Sequence, residues 1–203
     1  MNRFTRIRAV LAGGSVLGLG AAATLALWSD SEFATASLAA SPGDFVVEGR
    51  AYGTESWTSH PDATVAAQLD FGPDAGTLLS TGELISAAYQ LRLGATSNND
   101  GTAVLNAPAF ANLDPEVASR IHLTVRHGDC LNGATIQEGP LNAVTTRPHA
   151  IALSSGADAG TPGAPETVCF TARLADGATT EGLSATTSTN AINWHFTVTE
   201  EAA

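Results

Sequence analysis

Ile192-Asn193-Trp194-His195-Phe196-Thr197-Val198-Thr199 is apolar at every second position. In an extended chain Ile192, Trp194, Phe196 and Val198 share one side, and Asn193, His195, Thr197 and Thr199 share the other. A period of two with one apolar side describes an antiparallel strand half buried against a core. The same reading extends upstream. Ile121, Leu123 and Val125 alternate with Arg120, His122, Thr124 and Arg126. Ala87, Tyr89, Leu91 and Leu93 alternate with Gln90 and Arg92. Val65, Ala67, Leu69 and Phe71 alternate with Gln68 and Asp70, which predicts a further strand over 64–71. Phe45 to Tyr52 also reads as a strand, and Glu83–Ala88 is ambiguous between strand and helix.

The segments between these runs are turn-formers. Ser59-His60-Pro61-Asp62, Phe71-Gly72-Pro73-Asp74, Ser97-Asn98-Asn99-Asp100-Gly101, the Gly156–Pro165 stretch, Asp176-Gly177 and Glu181-Gly182 all punctuate the chain. Asp-Gly is a strong signal because it takes positive φ at little cost. Helix is scarce: Asp114-Pro115-Glu116-Val117-Ala118-Ser119 predicts one short turn, with Asp114 as cap and Pro115 at the first helical position. Several half-buried strands and at most one or two short helices predict an all-β fold. The expected architecture is an antiparallel β-sandwich, jelly-roll-like, preceded by an N-terminal hydrophobic signal helix.

That leader is Met1 to Leu27. Arg3, Arg6 and Arg8 precede an uncharged run of 19 residues, Ala9 to Leu27, and polarity returns at Ser29-Asp30-Ser31-Glu32. A basic head before an apolar core is an export signal. As a helix the run is roughly 28 Å long, near the lower limit for crossing a bilayer. Cleavage and retention as an anchor are therefore the two alternatives. Small residues that suit a cut stand at Thr24/Ala26 and again at Ala34/Ala36; the expected cleavage region is Ala26, Leu27 and Trp28, which makes 1–27 a signal peptide. Residues 28–43, small and polar and closed by Pro42-Gly43, read as a flexible arm. Residues 44–203 read as one domain, a length that suits a sizeable core.

Composition narrows the partners. The chain carries 20 Asp and Glu against nine Arg, with no Lys, for a formal charge of −11. Once the three leader arginines are removed, six dispersed arginines remain, and no basic patch exists for nucleic acid. The acidity reads as solubility outside the cell, with a divalent-cation preference as the minor alternative. Cys130 and Cys169 are the two cysteines, 39 positions apart. In an exported chain such a pair predicts a disulfide, with roughly 4 kcal/mol of loop-closure stabilisation.

Thr24-Leu25-Ala26-Leu27-Trp28-Ser29-Asp30-Ser31-Glu32 resembles the leader of TasA/camelysin-type exported proteins, which a dedicated signal peptidase of the SipW kind processes near the aromatic residue. The C-terminal half adds to the likeness. Glu166-Thr167-Val168-Cys169-Phe170-Thr171-Ala172-Arg173-Leu174, then Glu181-Gly182-Leu183, then Asn193-Trp194-His195-Phe196-Thr197 is similar to actinobacterial proteins with SipW-type leaders. Thr81-Gly82-Glu83 resembles the family's Pro-Gly-Glu turn, with Thr in place of Pro. The resemblance implies a secreted or cell-surface structural protein, a subunit of an extracellular matrix or biofilm fibre. Such subunits self-associate when an N-terminal segment, here Trp28 to Ala40, adds as a strand to a neighbour. A cell-surface binding or adhesion module is the alternative, with other surface proteins as partners, and the only membrane contact expected is through the leader.

Camelysin-type relatives carry a metallopeptidase label, and that reading ranks last. There is no His-Glu-x-x-His, no Gly-x-Ser-x-Gly elbow and no Gly-Lys-Ser/Thr phosphate loop. No cofactor and no catalytic or metal-ligating set is expected. Of His60, His122, His127, His149 and His195, the pair His122 and His127 would lie on opposite faces of one strand. His122 and His195 read as solvated surface histidines, the Asn98-Asn99-Asp100 turn as a plain turn rather than a calcium loop, and Trp194 as a core aromatic.

Overall fold

A computed structural model of the chain describes residues 29–34, 45–54, 56–72, 79, 82–110, 113–178 and 192–201. Among the described residues ten strands run in chain order: β1 (Ser29–Ala34), β2 (Val47–Ala51), β3 (Ile85–Leu93), β4 (Gly101–Leu105), β5 (Ala109–Phe110), β6 (Ile121–His127), β7 (Ala134–Pro140), β8 (Ala150–Leu153), β9 (Glu166–Leu174) and β10 (Ile192–Glu200). Among the described residues the helix α1 (Pro115–Ser119) precedes β6, and a 3-10 turn covers Ala63–Val65. The leader with Ala26, Leu27 and Trp28 lies outside the described residues. So do Pro73, Asp74, Thr81 and the Glu181-Gly182 bend.

The strands form two antiparallel sheets. The first has the order β1-β10-β4-β8, with β5 also pairing β10, and the second β2-β3-β9-β6-β7. Successive strands switch sheets repeatedly: β3 to β4, β5 to β6, and β7 to β8 to β9 to β10. The order β1-β10-β4-β8 opposite β3-β9-β6-β7 is the double Greek key of a jelly roll, with β2 added outside β3. The all-β sandwich read from the periodicity is the observed fold.

The alternating residues explain the packing. Tyr89, Leu91 and Leu93 from β3, Val168 and Phe170 from β9, and Leu123 and Val125 from β6 are buried, as are Trp194, Phe196 and Val198 from β10. Tyr89 stacks on Phe196 with ring centroids 6.1 Å apart, and Phe170 meets Trp194 at 4.8 Å. Each pair takes one ring from each sheet, so the aromatic contacts close the sandwich. Asp114 caps α1 as expected, its Oδ1 accepting from the Glu116 amide at 2.7 Å.

Two readings change. Residues 64–71 form no strand: past the 3-10 turn they have no ladder partner, yet Ala67, Leu69 and Phe71 still pack against the core. Alternation there records one-sided burial of a lone extended segment. Second, the stretch read as an arm contains β1, and its remaining residues, 35–43 among them, lie outside the described residues. An outermost strand needs backbone pairing on one side only, so Ser-Asp-Ser-Glu serves although it has little strand propensity. β7, a strand that the sequence did not announce, breaks the period of two. The β6–β7 register shifts between Val125 and Arg126, leaving Ile136 as the extra residue. That bulge lets consecutive residues Ile136 and Gln137 both turn inward, 2% and 1% exposed. The Gln137 amide spends its two protons on the carbonyls of Leu105 (3.1 Å) and Asn106 (2.9 Å), tying the second sheet to the first.

Candidate functional site

The feature that bears on assembly is where β1 is held. β10 is an inner strand of the first sheet: β4 pairs with Phe196–Glu200 on one edge, and β5 pairs with Ile192 and Asn193. Its other edge, from Trp194 to Thr199, is filled by Ser29–Ala34, in the register Ser29 to Thr199 through Ala34 to Trp194. The described backbone of β1 pairs with β10 alone. So the first described strand lies close behind the apolar run that ends at Leu27, at an edge, on the strand that supplies Trp194, Phe196 and Val198 to the core. Backbone N–H and C=O groups do not distinguish a strand of their own chain from the same strand of another copy.

The outward side of β10 is polar and clamped. Asn106 follows β4; its amide donates to the His195 carbonyl at 2.7 Å, and its side-chain Nδ2 donates to His195 Nδ1 and Thr197 Oγ1, both at 2.9 Å. An amide nitrogen only donates, so Nδ1 accepts and the ring is neutral, with its proton on Nε2. His195 is therefore not the solvated surface residue that its place on the polar side implied. It is half-buried, and burial pushes its pKa down to about 4. The sign of the consequence follows. Below pH about 6.5 the unfolded chain takes up a proton that the folded chain refuses until about pH 4. Stability should therefore fall as pH drops through that window, by roughly 1–2 kcal/mol after discounting for the solvent the ring still meets. Thermal unfolding against pH checks this, and His195→Gln should flatten the slope.

Other polar clusters sit elsewhere. At one end of the sandwich His127 Nε2 meets Glu166 Oε2 at 2.8 Å, and the rings of His127 and His149 lie edge to face at 5.8 Å. The His149 pKa is lowered, first by burial and then by the charge of His127. His122 and His127 fall on opposite sides of β6, as their odd spacing requires. Among the described residues, no three His, Cys, Asp or Glu side chains are placed to hold one metal ion. Asp62, Asp100 and Asp129 are held below the ordinary carboxylate range, by the Thr64 hydroxyl, the Ser155 amide and the Asn132 amide respectively.

One constellation was barely legible in the sequence. Trp57 lies over two guanidinium groups, Arg50 at 4.4 Å and Arg92 at 4.1 Å from its ring centroid. Arg92 pairs with Glu48 at 2.8 Å, and Arg50 donates to Gln90 Oε1 (3.0 Å) and the Thr54 carbonyl (2.9 Å). The pairing Glu48 to Arg92 and Arg50 to Gln90 across β2 and β3 places these four residues on the outer side of the second sheet. Only the Arg and Gln alternation on β3 hinted at it. Trp57 itself stands between Ser56 and Thr58 with no periodicity.

Cys130 and Cys169 are joined as a disulfide, with Cα atoms 5.1 Å apart. Such a bond fits an oxidising compartment. Among the described residues no helix is long and apolar enough to cross a membrane. No protein-family model matches the chain and no curated protein matches it.

Proposed function

We propose that this protein is an exported structural subunit, of the kind that builds extracellular matrix or surface fibres, and that its copies join by exchanging β1. The observation that carries the reading is the position of β1. It is the first strand of the jelly roll, an edge strand held by β10, and it begins two residues after the expected cut between Leu27 and Trp28. Before processing, its N-terminal end is tied to a leader held in the export machinery. After processing that end is free, and β10 of a second copy offers the same backbone groups and the same inward aromatic residues. The leader motif and the disulfide support export. The family resemblance supports a matrix or fibre role.

The test uses register. Ser31 and Thr197 are opposed across β1 and β10. In the double variant S31C/T197C the new disulfide should form within a monomer. In an assembled mixture of the single variants S31C and T197C it should form between chains, giving covalent dimers on a non-reducing gel. Electron microscopy of the same mixture should show fibres. Crosslinking confined to the double variant, with no covalent dimer from the mixture, would sink exchange as the mode of assembly.

A surface-binding module is the second reading. It is favoured by the Trp57–Arg50–Arg92 stack and by Tyr52, 66% exposed in the same loop. Binding of a ligand by monomeric protein, read as a change in Trp57 fluorescence, separates it from the first.

A further inference from the structure

The six arginines beyond Arg8 are scattered in sequence, and the fold gathers four of them. The strand registers put Arg50 (β2), Arg92 (β3), Arg173 (β9) and Arg126 (β6) on the outer side of the second sheet. Arg92 is paired with Glu48, and Arg173 with Asp176 at 3.2 Å. Among the described residues Arg50 and Arg126 bond only to neutral acceptors. Arg50 donates to Gln90 Oε1 and the Thr54 carbonyl, and Arg126 to the Gly133 carbonyl (3.2 Å) and Thr135 Oγ1 (3.0 Å). Glu138 of β7 shares this side, opposite Thr124, and is ion-paired with neither. The same side presents Tyr52 and Leu131, the two most exposed large hydrophobic residues described, at 66% and 78%. Tyr52 follows Glu48 and Arg50 in the alternation, and its amide extends the ladder to the Ala88 carbonyl at 2.9 Å. Leu131 adjoins Cys130, which is bonded to Cys169 of β9, and Asp129 Oδ1 holds its amide at 2.8 Å. A rigidly held leucine, an exposed tyrosine and arginines without a carboxylate partner are the composition of a protein-docking surface.

The opposite charge gathers at one end of the first sheet. Asp100 Oδ1 accepts from the Ser155 amide (2.7 Å) and hydroxyl (2.9 Å), Glu200 Oε1 from Asn99 (2.7 Å) and Glu201 Oε1 from Thr102 (2.6 Å). The Glu201 amide bonds the Asp100 carbonyl at 2.9 Å, which keeps the three carboxylates together. All three are met by neutral donors, so their charge stands. We infer that the outer side of the second sheet docks a second copy of this chain, with Arg50 and Arg126 receiving its Asp100–Glu200–Glu201 end. Charge complementarity selects this occupant: each group is uncompensated within its own copy and supplies what the other lacks. The chain's net charge of −11 opposes association at long range. At physiological salt, however, screening acts beyond about 8 Å and leaves charges in contact to attract. The two surfaces differ, so the contact is heterologous and propagates from copy to copy. It does not use β1, and it stands or falls separately from strand exchange.

The test uses the oxidised S31C/T197C double variant at physiological salt, with β1 fixed to its own β10 and exchange blocked. Sedimentation velocity should show association that grows with concentration and reverses on dilution. In that background R50E/R126E and E200R/E201R should each associate at least ten-fold more weakly, with the parent's circular dichroism. Mixing the two should restore association, because the reversed charges match again. L131S replaces a side chain that is 78% exposed, so it should weaken association without altering charge, and it decides the matter if a reversal disturbs folding. A locked parent that stays monomeric at several hundred micromolar overturns the inference. So does a parent whose association none of these substitutions lowers. Reversals that weaken association but do not rescue each other in the mixture point to a different occupant and also overturn it. Locked protein that stays monomeric yet binds alginate through Arg50 and Arg126 assigns the surface to an anionic polymer and overturns it likewise.

Discussion

Replacing Phe196 with alanine should destabilise the fold by about 3–5 kcal/mol, the range for removing a fully buried aromatic ring. Phe196 is 0% exposed and lies on the central strand of the first sheet, where it stacks on Tyr89 of the second at an interplanar angle of 14°. Its backbone pairs with Leu105 on one side and Glu32 on the other. The neighbouring residues cannot collapse into the vacated volume without moving a strand that three others depend on, which argues for the upper part of the range. In a domain of this size the loss corresponds to roughly 6–20 °C in Tm. Urea unfolding should show a lower midpoint with an unchanged slope, since the surface exposed on unfolding is nearly the same. A cost below about 1 kcal/mol would mean that the Tyr89–Phe196 stack is not what closes the two sheets.

The strands that meet the core on one side were legible because burial imposes the period of two. β3, β6 and β10 each keep it over seven or nine residues. The shorter or more irregular strands were not legible, for separate reasons. β8 has four residues, too few for alternation to stand out from chance. β7 has its period broken by the bulge that buries Ile136 beside Gln137. β1 carries Ser, Asp and Glu because an outer strand gains more from backbone bonds than from side-chain burial. The 64–71 run has the reverse fault: its apolar residues are set by the core, while strand formation needs a partner, which a local pattern does not reveal.

The candidate site divides along similar lines. That His195 lies on the polar side of β10 follows from parity, but its burial does not. The side chain that covers it, Asn106, comes from a turn 89 positions away. The Trp57 stack likewise depends on a chain reversal that brings Thr58 back to Gly49. Residue type and spacing report which side of a strand a group occupies; only the path of the loops reports what is laid over it.

Removing the disulfide, by C130A/C169A, should lower stability by about 2–4 kcal/mol, with loop closure over 39 positions placing the expectation near the top. The bond does more than shorten the unfolded chain. Cys169 lies on the outer side of β9 and is 0% exposed, one of four consecutive buried residues from Val168 to Thr171. Cys130 belongs to the β6–β7 turn, which the bond pins over that outer side. The turn has its own order: Asp129 Oδ1 accepts from the amides of Leu131 (2.8 Å) and Asn132 (2.9 Å), and Gly133 lets the carbonyls of His127 and Asp129 crowd its Cα where any side chain would collide. With that local order retained, the double variant should keep the β6–β7 hairpin while exposing the outer side of β9. Hydrogen exchange should then quicken first at position 169 and at Thr171, ahead of the β3–β10 core. The single variant C130A should be worse than C169A, because it strands a thiol on a side of β9 that the turn no longer covers and leaves it open to crosslinking between chains. Equal exchange rates throughout, with a Tm within about 2 °C of the parent, would show that the hairpin holds its place without the bond.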